Sequence, residues 1–289
     1  MDGKLAGNTS PKHAIMLGNT AGRFYPLASS MGSNAKSLAD SEFDRENFQG
    51  IDDLGDSWAD AHANFLSSLS ETENRDLLKF SRQLDLKPRD QLFRAGDQSN
   101  DVYIVAGGCI RLFQVSSAGK ETILWFSFPG EIFGIAELWS GGDREIYAVA
   151  NEASQVYSIR RTDFAQFLGT HPEVAMRAIG ILSARVRTLG HALVGLASDN
   201  VETRIARLLL SFAAVSSVAP CTDGHFDGGL CVNVRLTHQD IASLIGASRQ
   251  TVTSTLTHLR KSGTVRTVKQ HTHIMRPGHL RRMLELSDT

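Results

Sequence analysis

Ser248-Arg249-Gln250-Thr251-Val252-Thr253-Ser254 holds the residues of this chain best suited to chemistry with another molecule. Val252, Leu256 and Leu259 fall at helical spacing, and a serine just before them is a favoured N-cap. The spacing predicts a helix capped by Ser248, with Arg249, Gln250, Thr253 and Ser254 on its outer face. Arginine and glutamine at the start of an exposed helix can pair bidentately with the edges of guanine and adenine. The chemistry expected is hydrogen-bond readout of double-stranded DNA rather than bond making. An ordinary helical hairpin would use the same turn, but it would not require those outward residues.

That helix needs a partner to hold it. Leu236–Lys261 supplies one. Thr237 can cap a first helix, Asp240 sits well in its first turn, and Ile241, Leu244 and Ile245 form its apolar face. Ala242 is small where a second helix must cross, and Gly246 suits the left-handed end of a tight turn. The pattern is helix-turn-helix. Thr255 departs from it, standing where an aliphatic anchor is common. Thr264–Val268 and His271–Met275, with Lys269-Gln270 between, read as a β-hairpin wing. Arg266, Lys269 and His271 are placed there to meet backbone phosphates.

Charge points the same way. The chain has 289 residues, 30 Lys+Arg, 31 Asp+Glu and a formal net charge of −1. Residues 236–289 hold Arg249, Arg260, Lys261, Arg266, Lys269, Arg276, Arg281 and Arg282 against Asp240, Glu285 and Asp288. The basic excess at the C-terminus fits a polyanion partner. No apolar run approaches the ~18 residues of a membrane span, and the first residues lack a basic start followed by an apolar stretch. Cys109, Cys221 and Cys231 have no tight metal spacing, so a disulfide framework is not expected and a reducing cytoplasm fits.

Pro172 opens a long helical stretch whose apolar positions are Ala175, Ile179, Leu182, Val186, Leu189, Leu193 and Leu196. The alternating spacing of four and three is a heptad seam. It is narrower than a core-facing stripe usually is, so Ile179, Leu182, Val186, Leu189, Leu193 and Leu196 are expected to bind a second copy. Arg177, Arg185, Arg187 and His191 fall outside the seam. A helix over 199–217 follows, with Val201, Ile205, Leu208, Leu209 and Phe212 inside, then a turn-rich loop at 216–229.

Between 84 and 160 the texture is β. Gln91–Arg94, Asp101–Ala106, Cys109–Val115, Glu121–Phe128, Ile146–Ala150 and Gln155–Arg160 are short strand-like runs divided by glycines, which indicates an antiparallel sandwich or roll. Residues 57–82 read as helix, with Leu66, Leu69, Leu77, Leu78 and Phe80 on one face. Thr162 can cap a short helix holding Phe164 and Phe167. Residues 1–56 read as a mostly disordered tail. The class expected is α+β, divided as tail 1–56, sensing domain 57–170, dimerisation helix 171–198 and DNA-binding domain 199–289.

The pattern from about 75 to 285 resembles the CRP/FNR family of bacterial transcription regulators. Phe93-Arg-Ala-Gly96-Asp97, Tyr103-Ile-Val and Gly108 look like the opening strands of that family's cyclic-nucleotide-binding-type β-roll. Phe133-Gly134 and Arg144 look like its phosphate cassette, 172–198 like its dimer helix, and Ser248–Val252 like its recognition-helix motif. The resemblance implies an activator that works as a homodimer on a palindromic promoter and contacts RNA polymerase, with Arg249 reading guanine. Gln250 stands where many members have Glu, and Ser254 where many have Arg.

The same resemblance bears on the effector. Ile135 replaces the ribose-binding Glu of cyclic-nucleotide members, Glu145 follows Arg144, and Leu189 and Gly190 stand at base-contacting positions. Cyclic AMP is therefore not the expected ligand. Phe133-Gly134-Ile135 with Arg144, plus Arg185 on the dimer helix, is similar to the nitrogen-control branch that binds 2-oxoglutarate. Two guanidinium forks suit a dicarboxylate. Gly190 departs from that branch, and an effector-independent protein with a degenerate pocket is the alternative.

Other classes fit less well. A cupin-type metal enzyme, or haem ligation from the roll, needs histidines that the stretch between His62 and His171 lacks. No cysteine precedes Cys109, so an N-terminal iron–sulfur group is not expected. No Gly-x-Ser-x-Gly element or P-loop is present. No metal site and no catalytic residues are expected.

Overall fold

The computed structural model describes residues 61–138, 141–216, 230–232, 234–268 and 271–285. The tail 1–56, most of the 216–229 loop and Lys269 lie outside them.

Eight short strands make the first half: β1 (Ser81–Leu86), β2 (Gln91–Phe93), β3 (Asp101–Gly107), β4 (Ile110–Val115), β5 (Glu121–Ser127), β6 (Ile132–Phe133), β7 (Tyr147–Ala150) and β8 (Ser154–Arg160). They pair antiparallel into two sheets, ordered β1-β8-β3-β6 and β2-β7-β4-β5. Val102, Ile104, Val156 and Ile159 of one sheet and Ile110, Leu112, Trp125 and Ala148 of the other are buried, and β3 is covered on both faces over 102–105.

The helix expected over 57–82 is shorter than its pattern. A single 3₁₀ turn (Leu66–Ser68) and α1 (Glu71–Leu78) occupy it, then the chain extends as β1. Ser70 and Glu73 form a reciprocal capping box that starts α1. Phe80 lies past its end and is exposed, because Ser81–Leu86 pairs with β8 instead of continuing the helix.

Two helices follow the roll: α2 (Arg161–Thr170) and α3 (Pro172–Ser198). Helix α2 starts one residue before Thr162, with Arg160 at its N-cap and no side-chain cap; Thr162 bonds Asp163 instead. Helix α3 starts at Pro172, where proline's fixed φ and missing N–H cost nothing. It buries Val174, Ala178, Ile181, Ala184 and Thr188 against the roll. Its exposed large apolar residues are another set, namely Met176, Ile179, Leu182, Val186, Leu189, Leu193, Val194 and Leu196.

The second half holds α4 (Val201–Ser216), β9 (Leu230–Val232), α5 (His238–Leu244), α6 (Arg249–Lys261), β10 (Val265–Val268), β11 (His271–Ile274) and α7 (Pro277–Glu285). Strand β11 lies between β10 and β9 in a three-stranded sheet. One apolar cluster joins Ile205, Leu209 and Phe212 of α4, Ile241 and Ile245 of α5, Val252, Leu256 and Leu259 of α6, and Phe113, Ile123 and Phe126 of the roll. The two halves therefore share a core. Polar contacts tie the same junction. Ser243 Oγ accepts from Ile123 N and donates to Glu121 O, both at 2.9 Å, which occupies part of the open edge of β5. Arg111 reaches Glu121 at 3.3 Å and Asp240 at 3.5 Å.

Cys109 is a free, buried thiol, and burial pushes its pKa well up. Cys231 is disulfide-bonded, which corrects the expectation of thiols without a disulfide.

Candidate nucleic-acid interface and effector-type domain

Helix α5 begins at a capping box. Thr237 Oγ1 accepts from Asp240 N at 3.1 Å, and Asp240 Oδ2 accepts from Thr237 N at 2.8 Å. The turn that ends it needs Gly246, at φ +64°. A Cβ there would also meet Leu196 Cδ2 at 2.8 Å, so the turn sits directly against the end of α3. Ser248 then caps α6 by accepting from Thr251 N at 3.1 Å. Val252, Leu256 and Leu259 face the core.

This packing leaves the other face of α6 in solvent. Arg249, Gln250, Thr253 and Ser254 are all exposed and line one open groove with Thr257, His258 and Lys261. Thr253 Oγ1 donates to Arg249 O at 2.8 Å and sits 2.8 Å from His238 Nδ1, so the first helix braces the second. Burial, and then the charges of Arg260 and Arg249, hold His238 below its ordinary pKa.

The wing leaves one expected contact in solvent and withdraws another. Arg266 is exposed on β10. His271 is buried, as is His273. The expectation that His271 meets phosphate is corrected: β11 is the central strand, and the face carrying both histidines packs inward.

The effector-type region is built differently. Arg144 is 3% exposed. Its Nη1 donates to Gly134 O and Glu137 Oε2, each at 2.9 Å, and its Nη2 donates to Asp101 O. The guanidinium lies 4.5 Å over the Phe93 ring. Gly134 is at φ +72°, where a Cβ would meet Arg144 Nη1 at 3.1 Å. Phe133 and Ile135 are buried.

Arg185 was placed outside the seam by its heptad position; the fold turns it onto the roll. Its Nη1 donates to Ile132 O at 2.7 Å, its Nη2 to Glu131 Oε2 at 3.2 Å and its Nε to Ala61 O at 3.2 Å. Burial lowers its pKa, with Glu131 opposing that shift. Arg144 and Arg185 thus hold neighbouring carbonyls of the β6 segment, but each already grips a carboxyl group of its own chain.

Sequence reasoning missed the third member of this region. His62 is buried, stacks on Trp125 with centroids 4.1 Å apart and hydrogen-bonds Glu131 at 2.7 Å. Trp125 Nε1 donates to the other Glu131 oxygen at 3.2 Å. The segment before the roll therefore inserts Ala61 and His62 between the roll and α3. Among the described residues no group of three or more His, Cys, Asp or Glu could hold a metal ion.

Comparison with known proteins agrees with this architecture. Residues 83–171 match the cyclic nucleotide-binding domain family, and residues 203–283 match the Crp-like helix-turn-helix domain. The chain is 31% identical to the cyclic AMP receptor protein of Thermus thermophilus over 195 residues, covering 67% of this chain and 84% of that one. It is 30% identical to the global nitrogen regulator of Nostoc sp. over 193 residues, 66% of this chain and 84% of the relative. The solved structure of FixK2 from Bradyrhizobium japonicum shares the fold at a TM-score of 0.60 and 19% identity, over 70% of this chain and 96% of that one.

A β-roll, a long helix with an exposed apolar face and a winged helix-turn-helix define an effector-responsive, DNA-binding transcription regulator. The chain belongs to the CRP/FNR family. No helix among the described residues is long and apolar enough to cross a membrane.

Proposed function

We propose that two copies of the chain join along Ile179, Leu182, Val186, Leu189, Leu193 and Leu196 and present their two α6 helices to one palindromic DNA site. The observation that carries this is the division of α3 into two faces. One is buried on the roll, while the other keeps six large apolar side chains between 38% and 69% exposed. An apolar stripe of that length on a folded chain marks an interaction surface. A two-fold pair would set the recognition helices about one duplex turn, roughly 34 Å, apart.

In this reading Arg249, Gln250, Thr253 and Ser254 read base edges, while Ser248, Arg266 and Lys269 hold phosphates. The protein acts on transcription in the cytoplasm as an activator that contacts RNA polymerase, with no catalysis of its own. The effector is a small acid such as 2-oxoglutarate. Arg144 and Arg185 each pair with an internal carboxyl group, Glu137 and Glu131, and a dicarboxylate offers the charges to exchange for both.

Selection of bound duplexes from a random pool, with and without 2-oxoglutarate or cyclic AMP, tests the whole reading. The expected product is a palindrome, enriched more strongly when the acid is present. Val186→Glu and Leu189→Glu are expected to give monomers by ultracentrifugation and to lose about 10²–10⁴-fold in affinity for that palindrome, the usual loss when two linked contacts become one. A dimer that survives both charges would remove the seam.

A further inference from the structure

Where α3 ends and α4 begins, the two halves of the molecule leave a cavity of about 290 Å³. That is close to the lower bound of roughly 300 Å³ for small-molecule sites. Its walls come from four elements: Ile123 on β5, Ala192 on α3, Leu208 on α4 and Leu244 on α5 supply apolar surface. Arg144 and Arg185 do not line it; it adjoins their region through Trp125, and Leu189, Leu193 and Leu196 of the seam form its outer wall.

The charged groups in this wall do not balance. Arg204, Arg207 and Asp199 all line the cavity. Arg207 Nη2 donates to Asp199 Oδ2 at 3.0 Å, which satisfies one guanidinium with the one carboxylate among the described lining residues. Arg204 has no carboxylate partner among the described residues lining the cavity. Apolar walls with one guanidinium that no lining carboxylate balances ask for one kind of guest.

We infer that this cavity binds an amphipathic monocarboxylate, with its apolar body among Ile123, Leu208 and Leu244 and its carboxylate on Arg204 and Arg207. A monoanion completes the charge balance; a dianion such as a phosphate ester would reverse it. A guest here touches the roll, the long helix and the first helix of the helix-turn-helix at once. Its binding therefore biases how α6 is carried relative to the roll.

The test uses the full chain and sodium decanoate as the probe, with 1-decanol as the uncharged control, followed by titration calorimetry. The expected result is saturable decanoate binding, one per chain, at least about tenfold tighter than decanol. Arg204→Gln should lose that advantage for decanoate while leaving decanol binding unchanged. Ala192→Trp, at an exposed α3 position on the cavity wall, narrows the cavity and should block both probes. Equal affinity for the two probes, or undiminished decanoate binding in either variant, would overturn the inference. DNA selection without decanoate reports separately on the palindrome reading, so the two can fail independently.

Discussion

Arg249 and Arg185 carry the same guanidinium in opposite settings. Arg249 stands exposed on the first turn of α6, on a helix whose cap and apolar stripe are satisfied without it. Arg185 is consumed: two backbone carbonyls and Glu131 take its donors, and its guanidinium lies 5.2 Å from the Trp125 ring. An arginine has five fixed N–H donors and cannot shed its charge. Where those donors are spent inside the chain, the residue holds the fold; where they are left in solvent beside other unfilled polar groups, it is available to a partner. The comparison separates a reading surface open to any partner from an arginine that an acidic effector must first win from Glu131.

The largest effect that would sharpen this contrast is on stability. Arg185→Ala leaves Glu131 buried without its cation, and breaking such a pair typically costs about 3–5 kcal/mol. Arg249→Ala removes no packed contact and is expected to move stability within about 0.5 kcal/mol. Denaturant unfolding of the two variants measures both. Similar losses in the two would mean that the exposed arginine also holds the fold.

DNA affinity should invert the ranking. Arg249→Ala is expected to cost about 1–3 kcal/mol on the selected palindrome, concentrated at one base pair per half-site. Competition between that palindrome and random duplex measures it. Equal losses on both would make Arg249 a phosphate contact rather than a base reader.

The same contrast explains what could be read from the residues alone. The helix-turn-helix was legible because its signals are local: Thr237 with Asp240, Gly246, Ser248 and the stripe of Val252, Leu256 and Leu259 all act within a few residues of each other. The faces of α3 were legible for the same reason, though the inward turn of Arg185 was not. Glu131 meets His62 across 69 positions and Arg185 across 54, and no short-range pattern encodes those meetings. Strands failed likewise. Ser81 and Arg82 read as the end of a helix because the partner that makes them strand, β8, lies far along the chain; β6 has two residues and β9 three. Without β9, the wing's second strand looked like an outer one, and His271 seemed open to phosphate. Helix α7 is short, and its apolar positions gain meaning only beside α4.

Ser243 offers a smaller test at the boundary between the two regions. Its hydroxyl bridges Ile123 N and Glu121 O. Ser243→Ala should cost about 0.5–1.5 kcal/mol for each hydrogen bond lost, while leaving base preference unchanged. It should also speed amide exchange at Ile123. Unaltered exchange there would show that the β5 edge is protected by other contacts.

The smallest expected effect concerns the brace beneath the reading surface. Thr253 Oγ1 gives its one hydrogen to Arg249 O, so His238 Nδ1 is the donor to that hydroxyl and Nε2 takes up any proton. Burial and the nearby Arg260 and Arg249 depress the His238 pKa. The unfolded chain, titrating near the ordinary histidine value of about 6.5, then binds the proton more readily than the folded one. Stability from this group is complete above about pH 6.5 and declines as the pH falls from there toward the folded pKa. His238→Asn keeps a donor toward Thr253 and cannot take up the proton. The difference in Tm between wild type and this variant should be flat above about pH 7 and turn against wild type on acidification. Added palindrome should reduce that acid loss, because phosphates near the brace favour the charged imidazole. A difference that ignored both pH and DNA would detach His238 from the charges of the reading face and leave Thr253 braced by geometry alone.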